Sequence, residues 1–181
     1  MKLGVFSDSH GNLEYLGNAA AFAAGRGKAD VLIHLGDNYK DAKVLNQFGK
    51  RVLRVPGVFA NEYLDPSVSN RIVETFGPWN VLITHTSEPH PNDLPADIDP
   101  VETVRNKVVQ IVLHGHTHIP RIALHEGVWF VNPGHLKRQD KKGYHASFAM
   151  LDLRRNDATA KIYQLVGLKE LLSKDFPLSA T

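Results

Sequence analysis

One apolar run that ends in histidines constrains this chain more than any other feature. Val108-Val109-Gln110-Ile111-Val112-Leu113 reads as a buried strand, and His114-Gly115-His116-Thr117-His118 follows it directly. Three imidazoles in five residues suit neither a core nor an ordinary surface. At the C-terminal end of a strand they stand where open α/β sheets bind ligands. Neutral imidazole is the commonest metal ligand. Gly115 is expected to let the backbone turn tightly enough for alternate histidines to enter one pocket.

Other strand ends carry the same chemistry. Of ten histidines, His10, His85, His114, His116, His118 and His135 fall at or just after the ends of predicted strands. Leu3 to Phe6 is a β-like run followed by the polar loop Ser7 to Asn12. Asp8 and His10 are two residues apart, so in an extended segment they face the same way, as chelating groups must. Asp30 to Leu35 ends in Gly36-Asp37-Asn38, Arg51 to Val55 in Pro56-Gly57, and Trp79 to Thr84 in His85-Thr86. If these strands are parallel neighbours, Asp8, His10, Asp37, His85, His116 and His118 share one sheet edge. Mixed carboxylate and imidazole donors suit Mn, Fe, Zn or Ni better than Ca or Mg. His114 is out of phase with its neighbours and reads as a packing or supporting residue. His34 is expected to pack within its strand, and His125 and His145 to lie on the surface.

The 181 residues fit one domain over 1–181. With no Cys, thiolate ligands, disulfides and Cys nucleophiles are excluded. A net charge of +2 with no basic stripe gives no support for tight nonspecific nucleic-acid binding. The apolar runs fall short of the ~18 residues that a membrane span needs. The N-terminus enters a strand with no signal-peptide pattern, so a cytoplasmic location is the default expectation.

Helices are predicted at Leu13 to Gly25 with Asn12 as cap, near Asp41 to Phe48, and at Pro100 to Lys107 behind Asp99. Arg121–Ala123 and Val128–Val131 flank a hairpin turn, and Phe148–Leu153 and Thr159–Leu165 read as a second antiparallel pair. Leu168 to Leu172 reads as a terminal helix, and Ser173 to Thr181 as a loosely held tail. An alternating first half and a strand-rich second half give a mixed α/β fold, with two sheets face to face and helices outside.

The blocks Asp8-Ser9-His10-Gly11-Asn12, Gly36-Asp37, His85, Gly115-His116-Thr117-His118 and Asn132-Pro133-Gly134 occur in that order. This pattern resembles the calcineurin-like metallophosphoesterases, in particular their small single-domain phosphodiesterase branch, from residue 1 to about Leu165. The resemblance implies a four-layer α/β/β/α sandwich with metals at one end. It implies that Asp8, His10 and His118 hold one metal, that His85 and His116 hold a second, and that Asp37 bridges them. The implied cofactors are two divalent transition-metal ions, Mn²⁺ first, with Fe, Ni or Zn as alternatives. Paired cations roughly 3.5–4 Å apart need a shared anionic ligand, and they clamp both oxygens of an in-line displacement. The expected nucleophile is a bridging hydroxide, and the expected substrate a small phosphodiester.

One block departs from the family. Its third strand usually leads into Gly-Asn-His-Asp/Glu, where the Asn ligates the second metal and the His donates a proton. Here the sequence is Gly57-Val58-Phe59-Ala60-Asn61-Glu62. Val58 cannot ligate through its side chain. Asn61 could fill the gap, and Glu62 could serve as ligand or acid. The Pro-rich segment Thr86 to Pro95 reads as a loop over the site. It offers His90, Asn92 and Asp93 as substrate contacts or as the missing acid. The catalytic set is therefore read as Asp37, His116, Glu62 and His90. His135 either approaches a bound phosphate or is solvated, and Lys137 to Lys142 reads as a solvated loop. A non-catalytic scaffold stays open, because retromer's small subunit resembles this family. So do a single-metal protein and a homodimer.

Overall fold

In the computed structural model, which describes residues 1–178, eleven strands form two sheets. The strands are β1 (Lys2–Phe6), β2 (Val31–His34), β3 (Arg51–Arg54), β4 (Arg71–Phe76), β5 (Trp79–Thr84), β6 (Ile111–Leu113), β7 (Arg121–His125), β8 (Val128–Asn132), β9 (Ser147–Leu153), β10 (Asp157–Gln164) and β11 (Glu170–Pro177). The first sheet runs β11-β10-β9-β1-β2-β3 and the second β4-β5-β6-β8-β7. In the first, β1, β2 and β3 are parallel; in the second, β5, β6 and β8 are. Antiparallel strands complete both.

The apolar residues sort into three layers of packing. Leu3, Val5 and Ile33 of the first sheet meet Val81, Ile83, Ile111 and Leu113 of the second in a core between the sheets. On its other face the first sheet packs Phe6, Leu32 and Phe148 against Leu16, Ala19, Ala20 and Ala23 of helix α1 (Leu13–Ala24). The second sheet covers Leu82 and Val112 with Val104 of helix α2 (Pro100–Arg105). The result is the four-layer α/β/β/α arrangement that the sequence led us to expect. Both helices begin as their caps dictate. The Asn12 side chain accepts from Tyr15 N, and the Asp99 side chain accepts from the N–H groups of Val101 and Glu102.

Several expectations need correction. The six Asp and His residues do not share one sheet edge. Those after β1 and β2 belong to the first sheet and those after β5 and β6 to the second, and the two rims converge. The helix near Asp41 to Phe48 is present, as a 3-10 helix over Tyr39–Phe48; its Asn38 cap makes no side-chain hydrogen bond, and Asp41 bonds to the Ser7–Asn12 loop. The terminal helix is absent. Only a 3-10 turn, Val166–Leu168, precedes β11, which pairs along the open edge of β10. The Leu168, Leu171, Leu172 spacing mimics a helical stripe, but the free strand edge wins. The tail is held as far as Pro177, with Phe176 buried and stacked 4.6 Å from Trp129. Residues 179–181 lie outside the described residues. Strand β4 went unforeseen, although Gly77-Pro78 links it to β5 as a tight hairpin.

Candidate metal centre

The Asp and His residues converge at the C-terminal ends of β1, β2, β5 and β6. Ligand atoms of Asp8, His10 and His118 lie within 4.8 Å of one another, and so do those of Asp8, Asp37 and His85. His116 joins them through Nδ1, 3.3 Å from His85 Nε2. Asp8 stands in both groups, and Asp37, a member of the second, also touches His10 of the first at 2.5 Å. The family resemblance gave the bridging place to Asp37.

Backbone conformation is unusual at these positions. Asp8, His10, Asp37, His116 and His118 have φ of 51°, 47°, 66°, 66° and 63°. They are five of the nine non-glycine residues with positive φ among the described residues. Each such residue costs about 1–3 kcal/mol and persists only where its surroundings over-determine it, and such strain gathers at functional sites. Gly115 plays a different part from the one expected. A Cβ there would stand 1.9 Å from Ser7 Oγ and 2.6 Å from Asp8 Oδ2. The glycine makes room for Asp8, and the histidines themselves take the strained conformation. Gly57 is confined in the same way, with a Cβ position 2.5 Å from Asp37 Cα.

Hydrogen bonds select which ring nitrogen each histidine presents. His85 Nδ1 donates to Leu35 O at 2.7 Å, which leaves the Nε2 lone pair for the cluster. His118 Nδ1 lies 2.7 Å from Asp140 Oδ1, and His10 Nδ1 lies 2.5 Å from Asp37 Oδ2. Both rings therefore turn Nε2 toward the same point, 3.1 Å apart. Two lone pairs cannot face each other at that distance without a proton or a cation between them. Burial raises the pKa of Asp8, but donation by His118, the charge of His85 and donation by Ser7 outweigh it, bringing it down to about 2. Asp8 Oδ2 also accepts from Ser7 Oγ at 2.6 Å and from His116 N at 3.0 Å. Burial, then the neighbouring His85, lowers the pKa of His116, which favours its neutral ligand form. A fixed carboxylate beside imidazoles of set orientation, whose inward nitrogens become ligands once unprotonated, is the donor set that a divalent transition metal takes.

A relay ties the two loops of the first sheet together. Asp41 Oδ2 accepts from Ser9 Oγ at 2.7 Å and from Gly11 N at 2.8 Å, on either side of His10. Ser9 Oγ lies 3.1 Å from Nε2 of buried His34, whose Nδ1 accepts from Gly36 N. The relay thus fixes the loop bearing His10 against the one bearing Asp37. Asp41 and Asp140 both escaped the sequence reading. Neither follows an apolar strand, and Asp140 sits in the segment read as a solvated loop, yet its side chain is 4% exposed. Its cue was only an acidic residue among lysines.

The departing loop brings less to the cluster. Val58 is buried, and its carbonyl accepts from Asn92 Nδ2 at 2.8 Å. Asn61 is exposed at the start of a 3-10 turn, and its side chain makes no hydrogen bond among the described residues. Glu62 pairs with Lys40 at 3.3 Å. Its pKa is lowered, first by a backbone hydrogen bond, so it is ionised at neutral pH and unsuited to donate a proton. Asp93 is occupied as well. Buried Arg71 grips both its oxygens, at 3.0 and 2.8 Å, and Tyr63 donates to it at 2.5 Å. His90 remains. Its Nδ1 accepts from Asn92 N at 3.2 Å, so the neutral ring carries its proton on Nε2, and the ring stands 6.4 Å from that of His116. His135 is buried rather than solvated, with Nε2 on Tyr144 O and Nδ1 accepting from Lys137 N. His114 is buried against Phe130, its Nδ1 without a partner.

Two stacked sheets between helical layers, with Asp and His gathered at one end, define a phosphoesterase-type α/β/β/α fold. The family model for the calcineurin-like phosphoesterase superfamily domain matches residues 1–156, and the chain belongs to that family. No curated protein sequence matches it. Among solved structures it is similar to Yfce, a phosphoesterase from E. coli, at 23% identity and TM-score 0.70, covering 96% of this chain and 98% of that one. It is similar to a novel archaeal phosphodiesterase at 17% identity and TM-score 0.67, covering 98% and 100%. It is also similar to wild-type Vps29 of Entamoeba histolytica complexed with Zn²⁺, at 19% identity and TM-score 0.66, covering 98% and 99%. Among the described residues, no helix is long and apolar enough to cross a membrane.

Proposed function

We propose that this chain is a metal-dependent phosphodiesterase acting on a small phosphodiester at a dinuclear centre. The observation that carries the reading is the pair of imidazole Nε2 atoms, on His10 and His118, held face to face at 3.1 Å beside Asp8. Asp8, His10 and His118 would hold one ion, His85 and His116 the other, and Asp37 or Asp8 both. Mn²⁺ is the first candidate. When bound, two such ions would lower the pKa of a shared water to near neutrality and supply hydroxide as nucleophile.

The protein's own groups do the rest. Asp140 and Leu35 O hold the ring orientations of His118 and His85. The Asp41–Ser9–His34 relay holds His10 and Asp37 in register. His90 is the proton donor to the leaving oxygen that this geometry favours over Glu62, since it carries a proton on Nε2 beside His116. Val58 in place of a ligand favours diesters over monoesters, whose extra charge needs more neutralisation. The same substitution supports a second reading, a scaffold that binds metal without turnover.

Metal-stripped protein should gain hydrolysis of bis(4-nitrophenyl) phosphate on adding Mn²⁺, with 4-nitrophenyl phosphate turned over more slowly. His116→Ala should not recover. A folded, Mn²⁺-loaded protein that cleaves neither ester would leave the scaffold reading standing.

A further inference from the structure

Phe59 occupies the place where the family's proton-donating His usually stands, and it is turned outward, 75% exposed. A lone exposed aromatic means little. This one lies against the metal centre, its ring 5.5 Å from His90 and 6.4 Å from His116. Those two histidines also line a cavity of about 310 Å³ between the segment Thr86–His90 and the turn His114–Thr117. The Nδ1 atom of His114 is buried there without a partner.

We propose that Phe59, His90 and the His114 cavity form a subsite for one aromatic ring system on the ester, a nucleobase or simple aryl group. The inference deepens the phosphodiesterase reading, and it stands on groups that need no metal. An exposed aromatic ring beside a reaction centre provides a face for stacking, which is worth most to flat π-systems. A ring stacked on Phe59 would lie beside His90 and His116, which line the cavity. The cavity sits at the small end of the range of ligand pockets, so it admits a single ring system rather than a polymer. The net charge of +2 agrees, since it offers no track for a nucleic-acid backbone.

The test is titration of ¹⁵N-labelled, metal-free protein with adenosine, 4-nitrophenol and, as control, cyclohexanol, followed by NMR. The subsite predicts amide shifts confined to residues 57–60, 86–90 and 114–117 for at least one aromatic probe and for no aliphatic one. Binding of adenosine alone identifies a nucleobase pocket; binding of 4-nitrophenol, with or without adenosine, identifies a general aryl pocket. Phe59→Ala, at an exposed position that threatens no core, should weaken the bound probe about five- to a hundredfold, the range of one aromatic stack. Equal response to cyclohexanol, no response to either aromatic, or full binding by Phe59→Ala would overturn the subsite. None of these results bears on whether Mn²⁺ restores hydrolysis, so the two claims fail separately.

Discussion

The Nε2 atoms of His10 and His118 face each other at 3.1 Å, although each ring has an acceptor at its Nδ1. Without metal, a proton must sit between them. Hydrogen bonding to Asp8 raises the pKa of His118 in spite of burial, and Asp140 adds to the effect. A metal ion therefore displaces a proton. Loading with Mn²⁺ near pH 7 should release roughly one proton per chain, from the His10–His118 site, and affinity there should fall as the pH drops below the raised pKa of His118. Calorimetry in two buffers of different ionisation enthalpy measures the release; a buffer-independent heat would contradict it.

Asp140 should matter without touching metal. Removing the carboxylate that orients a ligating imidazole typically costs 10–100-fold in metal affinity, about the loss expected for Asp140→Ala. Asp140→Asn, which keeps an oxygen for His118 Nδ1, should lose less. Equilibrium dialysis against Mn²⁺ distinguishes the two, and unchanged binding in Asp140→Ala would show that the contact is incidental.

Acid should destabilise the metal-free protein in a defined window. Burial pushes the pKa of both His34 and His114 from 6.5 down to about 4. The unfolded chain then binds more protons than the folded one between pH 6.5 and 4, so stability falls as pH falls through that window. Each histidine contributes about 1.4 kcal/mol per pH unit there. His114→Phe removes one of them and should reduce the slope of urea-unfolding free energy against pH by roughly that amount. An unchanged slope would mean that His114 titrates normally.

The buried pair Arg71–Asp93 anchors the segment that carries His90. The Arg71 side chain is 1% exposed, and Asp93 also accepts from His90 N at 2.9 Å. Asp93→Ala leaves a buried guanidinium uncompensated, a loss of about 3 kcal/mol or more. It should also lower kcat by releasing His90, while leaving Mn²⁺ affinity nearly intact. Denaturant midpoints and metal titration check the two halves; a variant as stable as the parent would contradict the anchoring role.

The sequence disclosed what is local. Asn12 and Asp99 announced their helices, and each apolar run ending in Asp or His marked a strand rim. It did not disclose which strands pair, so one imagined edge proved to be the convergence of two sheets. β11 was hidden because Leu168, Leu171 and Leu172 mimic a helical stripe, and only the open edge of β10, a distant element, decides otherwise. Asp41 and Asp140 were hidden for the same reason. Their partners, Ser9 and His118, are 32 and 22 residues away. Asn61 and Glu62 attracted notice by type; Asn61 is exposed and Glu62 pairs with Lys40, contacts that local sequence does not announce.

The most direct test of the dinuclear centre is the number of Mn²⁺ ions bound per chain, measured by equilibrium dialysis of metal-stripped protein at pH 7.5. The account predicts two for the parent, with one site lost in His118→Ala and the other in His85→Ala. A stoichiometry of one in the parent would contradict the dinuclear centre and favour the single-metal reading, and no binding would remove the metal centre altogether.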